Sequence, residues 1–204
     1  MNIFEAIIIG LVQGLTEFLP ISSSGHLVII QKILKINSPG NLIEVSAHLG
    51  TLLSIILIYK KEIWGIITSL KSSESKKYIF MIVLATLPSV VFVLTSKSFI
   101  IRLFESVSSV AIALIFTGCI LYMSGIKYYS NKKLSLAKGF LIGISQAFAI
   151  IPGISRSGMT ISIALLLGVS SKEAAKFSFM LAVPAIFGAT ILTFLDAQFD
   201  QLKI

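Results

Sequence analysis

The stretch EFLPISSSGHL, residues 17–27, interrupts an apolar region that extends over about residues 3–36. It brings one acid, three serines, a proline, a glycine and a histidine together within eleven residues. Proline and glycine break a helix and leave backbone groups without partners. A bilayer tolerates such a break only where it is buried in protein or lines a wet cavity. The stretch therefore predicts a re-entrant hairpin, in which two half-helices flank a polar tip.

The composition of the whole chain indicates an integral membrane protein. Of the 204 residues, 55% are hydrophobic and 13% are charged, whereas a soluble domain has about 45–50% apolar and about 25% charged residues. A spanning helix needs roughly 20 mostly apolar residues, and four runs approach that length, at about 42–59, 78–96, 107–126 and 175–195. The first ten residues carry Glu5 and no basic side chain, so we expect them to belong to the mature fold and not to a signal peptide.

The basic residues predict how the chain is oriented in the membrane. Lysines are concentrated in the loops at 60–77 and 127–138, whereas Lys97 and Arg102 are the basic residues of the loop at 97–106. The positive-inside rule places the first two loops in the cytoplasm and the third outside, so the first hairpin enters the membrane from outside. The net charge is +8, but the basic residues lie between apolar runs and do not form a basic stripe with aromatic residues. This pattern excludes nucleic acid as a partner.

A second broken region, at 138–169, repeats the first. When the sequence is shifted by 133 positions, GLVQ at 10–13 falls on GISQ at 143–146, and ISSSG at 21–25 falls on ISRSG at 154–158. Three predicted spans separate the two hairpins, and an odd number gives the hairpins opposite orientations in the membrane. Such an inverted-topology repeat brings two broken helices together near the membrane midplane.

The predicted fold class is an all-α, polytopic integral membrane protein with two re-entrant helical hairpins in an inverted-topology repeat. We predict a single transmembrane domain over residues 1–204, with repeat one at about 1–126 and a partial repeat two at about 134–204. The second copy contains one span after its hairpin, so the counterparts of the runs at 78–96 and 107–126 are missing from it.

The two polar tips predict an anion site. Each tip places serine and glycine directly before an apolar half-helix, and a helix N-terminus binds anions through its free N–H groups and its positive dipole end. Arg156 adds a planar donor fork that is suited to phosphate oxygens. An arginine at the bilayer centre costs about 2.5–3.5 kcal/mol, so it needs a partner. Either a bound phosphate or a structural ion pair with Glu17 meets that need.

The acidic and nucleophilic residues of the first tip predict catalysis. Serine is a weak nucleophile until a nearby base removes its proton, and both Glu17 and His26 can reach the tip that carries Ser23. Together with Arg156, these residues indicate phosphoryl transfer, which depends on positioning and charge stabilisation. A transporter or flippase of a polyprenyl phosphate or another anion is the alternative, because inverted repeats with broken helices are typical of transporters. An inactive membrane scaffold is a third reading.

Four further polar residues leave their roles open. His48 and Glu44 lie four residues apart on one face of the helix at 42–59. They either contribute to the site or form a buried pair that locks this helix against the hairpin. Gln13 and Gln146 occupy equivalent positions in the two repeats, and we expect them to bond each other or the backbone at the repeat axis.

QGLTEFLPISSSGHL at 13–27 and PGISRSGMTI at 152–161 closely resemble the two signature motifs of the undecaprenyl pyrophosphate phosphatase family, the bacitracin-resistance proteins of bacterial membranes. The resemblance implies a multi-pass enzyme of the bacterial inner (plasma) membrane. It would remove the terminal phosphate of undecaprenyl diphosphate and so recycle the lipid carrier for peptidoglycan and other envelope polymers. It also implies a divalent cation, Mg²⁺ or Ca²⁺, and a site open to the outer face. The implied partners are the polyprenyl pyrophosphate, membrane lipids and, indirectly through the shared substrate, bacitracin.

The resemblance also implies residue roles. Glu17 resembles the family's essential carboxylate, a metal ligand or base, and Gln13 stands at a second metal-ligand position, where many members have Glu. Ser23 matches the proposed nucleophile, His26 the catalytic histidine and Arg156 the phosphate-binding arginine. We favour Ser23 over His26 as the attacking group. The implied substrate-binding residues are Ser22, Ser24, Gly25, Ser155, Ser157 and Gly158. Members usually carry a further helical pair, so we expect a homodimer to cover one flank of the second hairpin.

Overall fold

The structure, a computed structural model, describes residues 1–36, 42–125 and 132–202, with side chains as far as Leu195. Residues 37–41, 126–131 (which include Lys127 of the predicted cytoplasmic loop) and 203–204 lie outside the described part. Within the described ranges the regular elements are all α-helices. They are α1 (Ile3–Glu17), α2 (Ser23–Ile33), α3 (Leu42–Ile58), α4 (Lys60–Thr68), α5 (Ser73–Phe104), α6 (Val107–Gly125), α7 (Leu136–Phe148), α8 (Arg156–Leu166) and α9 (Ser171–Leu202).

Several of the described helices are long and apolar enough to cross a membrane. They are α5, α6 and α9 as far as Leu195. The helices α3 and α4 meet the same criterion together, with a bend of 69° between them. The four predicted spans fall on α3, α5, α6 and α9. The chain is thus an all-α, polytopic membrane protein, as the sequence predicts.

Helices continue through two segments that the charge pattern predicts as loops. The helix α4 begins at Lys60, directly after α3, and α5 continues through most of the segment 97–106 to end at Phe104. The helix α5 bends at Ser96, whose φ and ψ are −124° and 18°. No glycine or proline lies between Ser96 and Phe104 to end it there. Lysine and arginine are good helix formers, so basic residues mark the membrane surface without marking the end of a helix.

Both predicted hairpins are present, and they follow the sequence repeat closely. One hairpin is formed by α1 and α2 and the other by α7 and α8. The helices α2 and α8 have 11 residues each, and their bounds differ by the same 133 positions as the motifs. A serine caps each of them: Ser22 Oγ accepts a hydrogen bond from the Gly25 N–H at 3.3 Å, and Ser155 Oγ accepts one from the Gly158 N–H at 3.0 Å.

The tips of the two hairpins pack against each other reciprocally. A Cβ atom at Gly25 would lie 2.9 Å from the Cα of Gly153, and a Cβ atom at Gly158 would lie 3.1 Å from the carbonyl oxygen of Pro20. Pro20 and Gly153 are equivalent under the repeat, as are Gly25 and Gly158. Such reciprocal contacts are what a two-fold relation produces. Glycine at these positions lets the two tips approach closely enough to share one site.

The core fixes the second hairpin more firmly than the first. The helix α5 packs along α7 so closely that a Cβ atom at Gly143 would lie 2.2 Å from the carbonyl oxygen of Ala85. The equivalent glycine of α1, Gly10, has no described atom within 4 Å of a Cβ atom built there. On the other side of the hairpins, α3 packs on α9 through Leu52, Ile55, Ala182 and Ile186.

Candidate active site

A cavity of about 400 Å³ lies between the hairpin tips and the helices α3, α5 and α9. One end is polar and contains the two tips together with Glu44 and His48 of α3. The rest of the wall is mainly apolar and extends along α5 toward Phe104, which is the side that the loop charges place outside. The apolar wall includes Val90, Val93, Leu94, Ile100, Ile101 and Phe104 of α5 and Pro184, Ala185, Ile186, Ala189 and Leu192 of α9.

The carboxylate of Glu17 connects the two tips at the polar end. Glu17 is 6% exposed, and its Oε1 accepts a hydrogen bond from Nη2 of Arg156 at 2.6 Å. Its Oε2 accepts hydrogen bonds from Oγ of Ser23 and, at 3.1 Å, from Nε2 of Gln13. The ion pair between Glu17 and Arg156, one of the two partners that the sequence leaves open for the arginine, is therefore present in this structure.

The position of Ser23 results from an unusual turn. Ser23 is the first residue of α2, and the preceding Ser22 has a φ of 69°. A residue other than glycine in this left-handed region costs about 1–2 kcal/mol. The equivalent residue of the second tip, Ser155, has an ordinary φ of −72°. The strained turn therefore belongs to the tip that presents a hydroxyl to a carboxylate, the arrangement in which a base can activate a serine.

Arg156 occupies the corresponding first position of α8. Its Nη1 lies 3.5 Å from the carbonyl oxygen of Ser178, and the remaining guanidinium surface contributes to the cavity wall. The N-termini of α2 and α8 both start at this cavity, so their positive dipole ends add to the charge of the arginine. The polar end of the cavity can therefore bind an anion with at least two phosphate oxygens.

His48 lines the cavity, which is one of the two roles that the sequence leaves open for it. Its Nδ1 donates to the backbone carbonyl of Glu44 at 2.5 Å, and its Nε2 lies 3.3 Å from Oε2 of Glu17. The ring can donate to both acceptors when each nitrogen carries a proton. The carboxylate of Glu44 accepts a hydrogen bond from Nε2 of Gln31 at 2.6 Å. The spacing of His48 and Glu44 on one helix face was the only signal for this arrangement, and it also fitted a structural pair.

His26 takes a different position from the one expected of a catalytic histidine. Its Nδ1 lies 2.7 Å from the carbonyl oxygen of Ser22, and His26 is not among the described residues that line the cavity. Gly25 and Gly158 do not line it either, because they form the contact between the tips. The other four predicted substrate-binding residues, Ser22, Ser24, Ser155 and Ser157, do line the cavity.

The two equivalent glutamines bond separate partners. Gln13 donates to Oγ1 of Thr51 at 3.0 Å as well as to Glu17, and Gln146 donates to Oγ of Ser89 at 3.3 Å. The expectation that they bond each other or the backbone was wrong, because α3 and α5 each bring a hydroxyl within reach. The Oε1 atoms of both glutamines are buried without a hydrogen-bond partner.

A divalent cation would find few protein ligands here. Among the described residues, no group of three or more His, Cys, Asp and Glu side chains is arranged to hold a metal ion. Glu17 offers a carboxylate, and Gln13 offers an amide oxygen that has no other partner. Mg²⁺ usually keeps several waters and binds through one or two carboxylates and the substrate phosphates. One carboxylate and one amide oxygen match that donor set, provided the Gln13 amide turns so that Oε1 replaces Nε2 on the side of Glu17.

Comparison with known proteins identifies the family. A family model described as "Bacitracin resistance protein BacA" matches residues 6–203. The chain belongs to the BacA family. It is 43% identical over 195 residues to an undecaprenyl-diphosphatase of Carboxydothermus hydrogenoformans, a match that covers 94% of this chain and 73% of the relative. Undecaprenyl-diphosphatases of Alcanivorax borkumensis and Halothermothrix orenii are 39% and 40% identical across the whole chain, which covers 81% and 79% of their lengths.

Membership in the BacA family confirms the resemblance that the two motifs suggest. The structure adds what the motifs do in space, since it brings both of them to one cavity. The first motif supplies Glu17 and Ser23, and the second supplies Arg156 within hydrogen-bond distance of Glu17. Each BacA motif also supplies the serine that caps its half-helix and the glycine that packs on the other tip.

Proposed function

We propose that this chain is an undecaprenyl-diphosphatase, a multi-pass enzyme of the bacterial inner membrane. It hydrolyses the terminal phosphate of undecaprenyl diphosphate and recycles the lipid carrier for peptidoglycan and other envelope polymers. Because bacitracin binds the same diphosphate, this activity confers resistance to it. The observation that carries the proposal is the meeting of Glu17, Ser23 and Arg156 at the polar end of a largely apolar cavity.

The cavity matches a substrate with a charged head and a long apolar tail. The diphosphate binds between the two helix N-termini and the guanidinium of Arg156, and the first isoprene units lie along the apolar wall of α5 and α9. Binding draws Arg156 from Glu17 to the phosphate, because a guanidinium forms two parallel hydrogen bonds with phosphate oxygens. The carboxylate of Glu17 then loses its strongest cationic partner while Ser23 still donates to it.

The reaction proceeds in two steps at Ser23. Oγ of Ser23 attacks the terminal phosphorus while Glu17 accepts the hydroxyl proton, and the bond from that phosphorus to the bridging oxygen breaks. Glu17 gives that proton to the bridging oxygen as undecaprenyl phosphate leaves, and a phosphoserine remains. Water then attacks its phosphorus while Glu17, again a carboxylate, accepts a proton from the water. The bond from phosphorus to Oγ of Ser23 breaks, Glu17 returns the proton to Oγ, and inorganic phosphate is released. His26 is the weaker candidate for the attacking group, because its Nδ1 faces the carbonyl oxygen of Ser22.

A divalent cation, Mg²⁺ or Ca²⁺, belongs to the proposal as the cofactor. Glu17 and Gln13 would hold it, and when bound it would neutralise charge on the phosphates. We also propose that the chain forms a homodimer that covers one flank of the second hairpin. A monodisperse monomer with full activity in detergent would contradict the dimer without affecting the rest.

Phosphate release from undecaprenyl or farnesyl diphosphate by the purified chain tests the proposal. We expect release with Mg²⁺ or Ca²⁺, loss with a chelator, and loss in Arg156→Ala. The transporter alternative makes a different prediction for Ser23→Ala, since transport needs an anion site but no nucleophile. Two results together would favour transport: the Ser23→Ala protein still moves the lipid across vesicle membranes, and the wild-type protein releases no phosphate.

A further inference from the structure

His48 has no part in the reaction described above, although it contacts the group that accepts the proton. We propose that His48 is a positioning residue for that reaction: it holds Glu17 against Ser23 once the substrate has taken Arg156. The inference rests on the proposed function. Its physical basis is the set of four polar groups around the Glu17 carboxylate, each from a different helix. Gln13, Ser23 and Arg156 donate hydrogen bonds to it, and Nε2 of His48 lies 3.3 Å from its Oε2.

The four groups differ in what happens to them during the reaction. Arg156, from α8, turns to the phosphate, and Ser23, from α2, gives up the proton with which it bonds Glu17. Gln13 remains, but it is neutral and lies on α1 with Glu17 itself, four residues away. His48, from α3, forms an ion pair with Glu17 when its ring is protonated, and no step of the reaction recruits it. After substrate binding it is therefore the contact from another helix that keeps the carboxylate directed at Ser23.

His48 is itself held in the required orientation. Its Nδ1–H is bonded to the backbone carbonyl of Glu44, one helical turn earlier, which directs Nε2 toward Glu17. The carboxylate of Glu44 has its own donor, Gln31, so removal of the imidazole leaves that carboxylate paired. The packing of α3 on α9 depends on apolar side chains further along the helix. His48 can therefore be replaced without removing the contacts that place α3.

Four variants separate positioning from a structural role. His48→Leu removes both donors at similar volume. His48→Gln keeps an amide N–H near the position of Nε2. His48→Asn has a shorter side chain, so its amide lies near the position of Nδ1 and does not reach Glu17. Ser46→Leu is the matched control, because Ser46 is exposed on the same helix. For each variant we would measure kcat and KM for farnesyl diphosphate, and the affinity for its non-hydrolysable methylene analogue.

We expect His48→Leu and His48→Asn to lose about 10- to 100-fold in kcat. Analogue affinity should stay within about twofold of wild type, because Arg156 and the helix N-termini still bind the phosphates. His48→Gln should recover most of the kcat, and Ser46→Leu should match wild type. If His48→Leu fails to fold, His48→Asn replaces it in the comparison.

Two results would overturn the inference while leaving the proposed function in place. One is a wild-type kcat in His48→Asn or His48→Leu, and the other is an equal loss in His48→Gln and His48→Asn. A wild-type chain that binds the analogue but releases no phosphate would instead overturn the proposed function, and the inference with it.

Discussion

Gly143→Ala and Gly10→Ala make the same chemical change at equivalent positions of the two repeats, and we expect different effects on stability. A Cβ atom at Gly143 would lie 2.2 Å from the carbonyl oxygen and 2.5 Å from the Cα of Ala85. These are backbone atoms of α5, which cannot rotate away as the end of a side chain can. Among the described residues, nothing lies within 4 Å of the same atom built at Gly10.

The size of the difference follows from two terms. Alanine in place of glycine within a helix stabilises by about 0.8–1.0 kcal/mol, and this term applies at both positions. At Gly143 the helices α5 and α7 would also have to separate by about 1 Å, and forcing an extra methyl group into a packed contact costs about 1–3 kcal/mol. Gly10→Ala should therefore be about 1 kcal/mol more stable than wild type. Gly143→Ala should lie about 1–3 kcal/mol below Gly10→Ala.

Thermal unfolding of the three proteins in one detergent measures this difference, with helix content followed by circular dichroism. Phosphate release adds a second readout, because α5 also supplies a wall of the cavity. We expect Gly10→Ala to keep full activity and Gly143→Ala to lose part of it together with its lower Tm. A Gly143→Ala protein that melts at or above the temperature of Gly10→Ala would refute the assigned packing of α5 on α7.

Two further substitutions address the site directly. Arg156→Lys keeps the charge but loses the planar fork, and we expect kcat/KM for farnesyl diphosphate to fall about 100- to 1000-fold; a loss below tenfold would show that charge alone suffices. Nε2 of Gln13 lies 3.1 Å from Oε2 of Glu17, so Gln13→Glu places a second carboxylate next to the first. The two negative charges repel each other unless a cation binds between them. Activity should then reach half its maximum at a lower Mg²⁺ concentration and fall further in chelator, whereas an unchanged Mg²⁺ titration would remove this position from the cation site.

The sequence predicts those parts of the fold and of the site that depend on residues close together in the chain. The bounds of α2 and α8 depend on a local serine cap and a local break, so the repeat predicts them. Glu17, Ser23 and Arg156 were predicted because each lies within its motif.

Features that depend on packing between distant helices were not predictable in the same way. His48 reaches Glu17 only because α3 lies beside the first hairpin, and Gln146 reaches Ser89 only because α5 lies along α7. The spacing of residues along one helix defines a face, but it does not say which neighbour that face meets. The basic residues at 97–106 indicate where the membrane ends, but they do not indicate where a helix ends. The helix α5 continues through most of that segment to Phe104.

The ion pair between the two tips has a consequence for biosynthesis. Glu17 and Arg156 are 139 positions apart in the chain, and a ribosome that adds about 5–20 residues per second needs about 7–28 seconds to make the intervening segment. During that interval the first tip exists without Arg156, and Glu17 has only Gln13, Ser23 and His48 as partners. A carboxylate without its arginine partner is costly in hydrocarbon, so we expect the first hairpin to be less stable at its final depth until the second one arrives. We therefore expect a chain whose synthesis stops before Arg156 to hold its first hairpin less firmly in the membrane than the whole chain does.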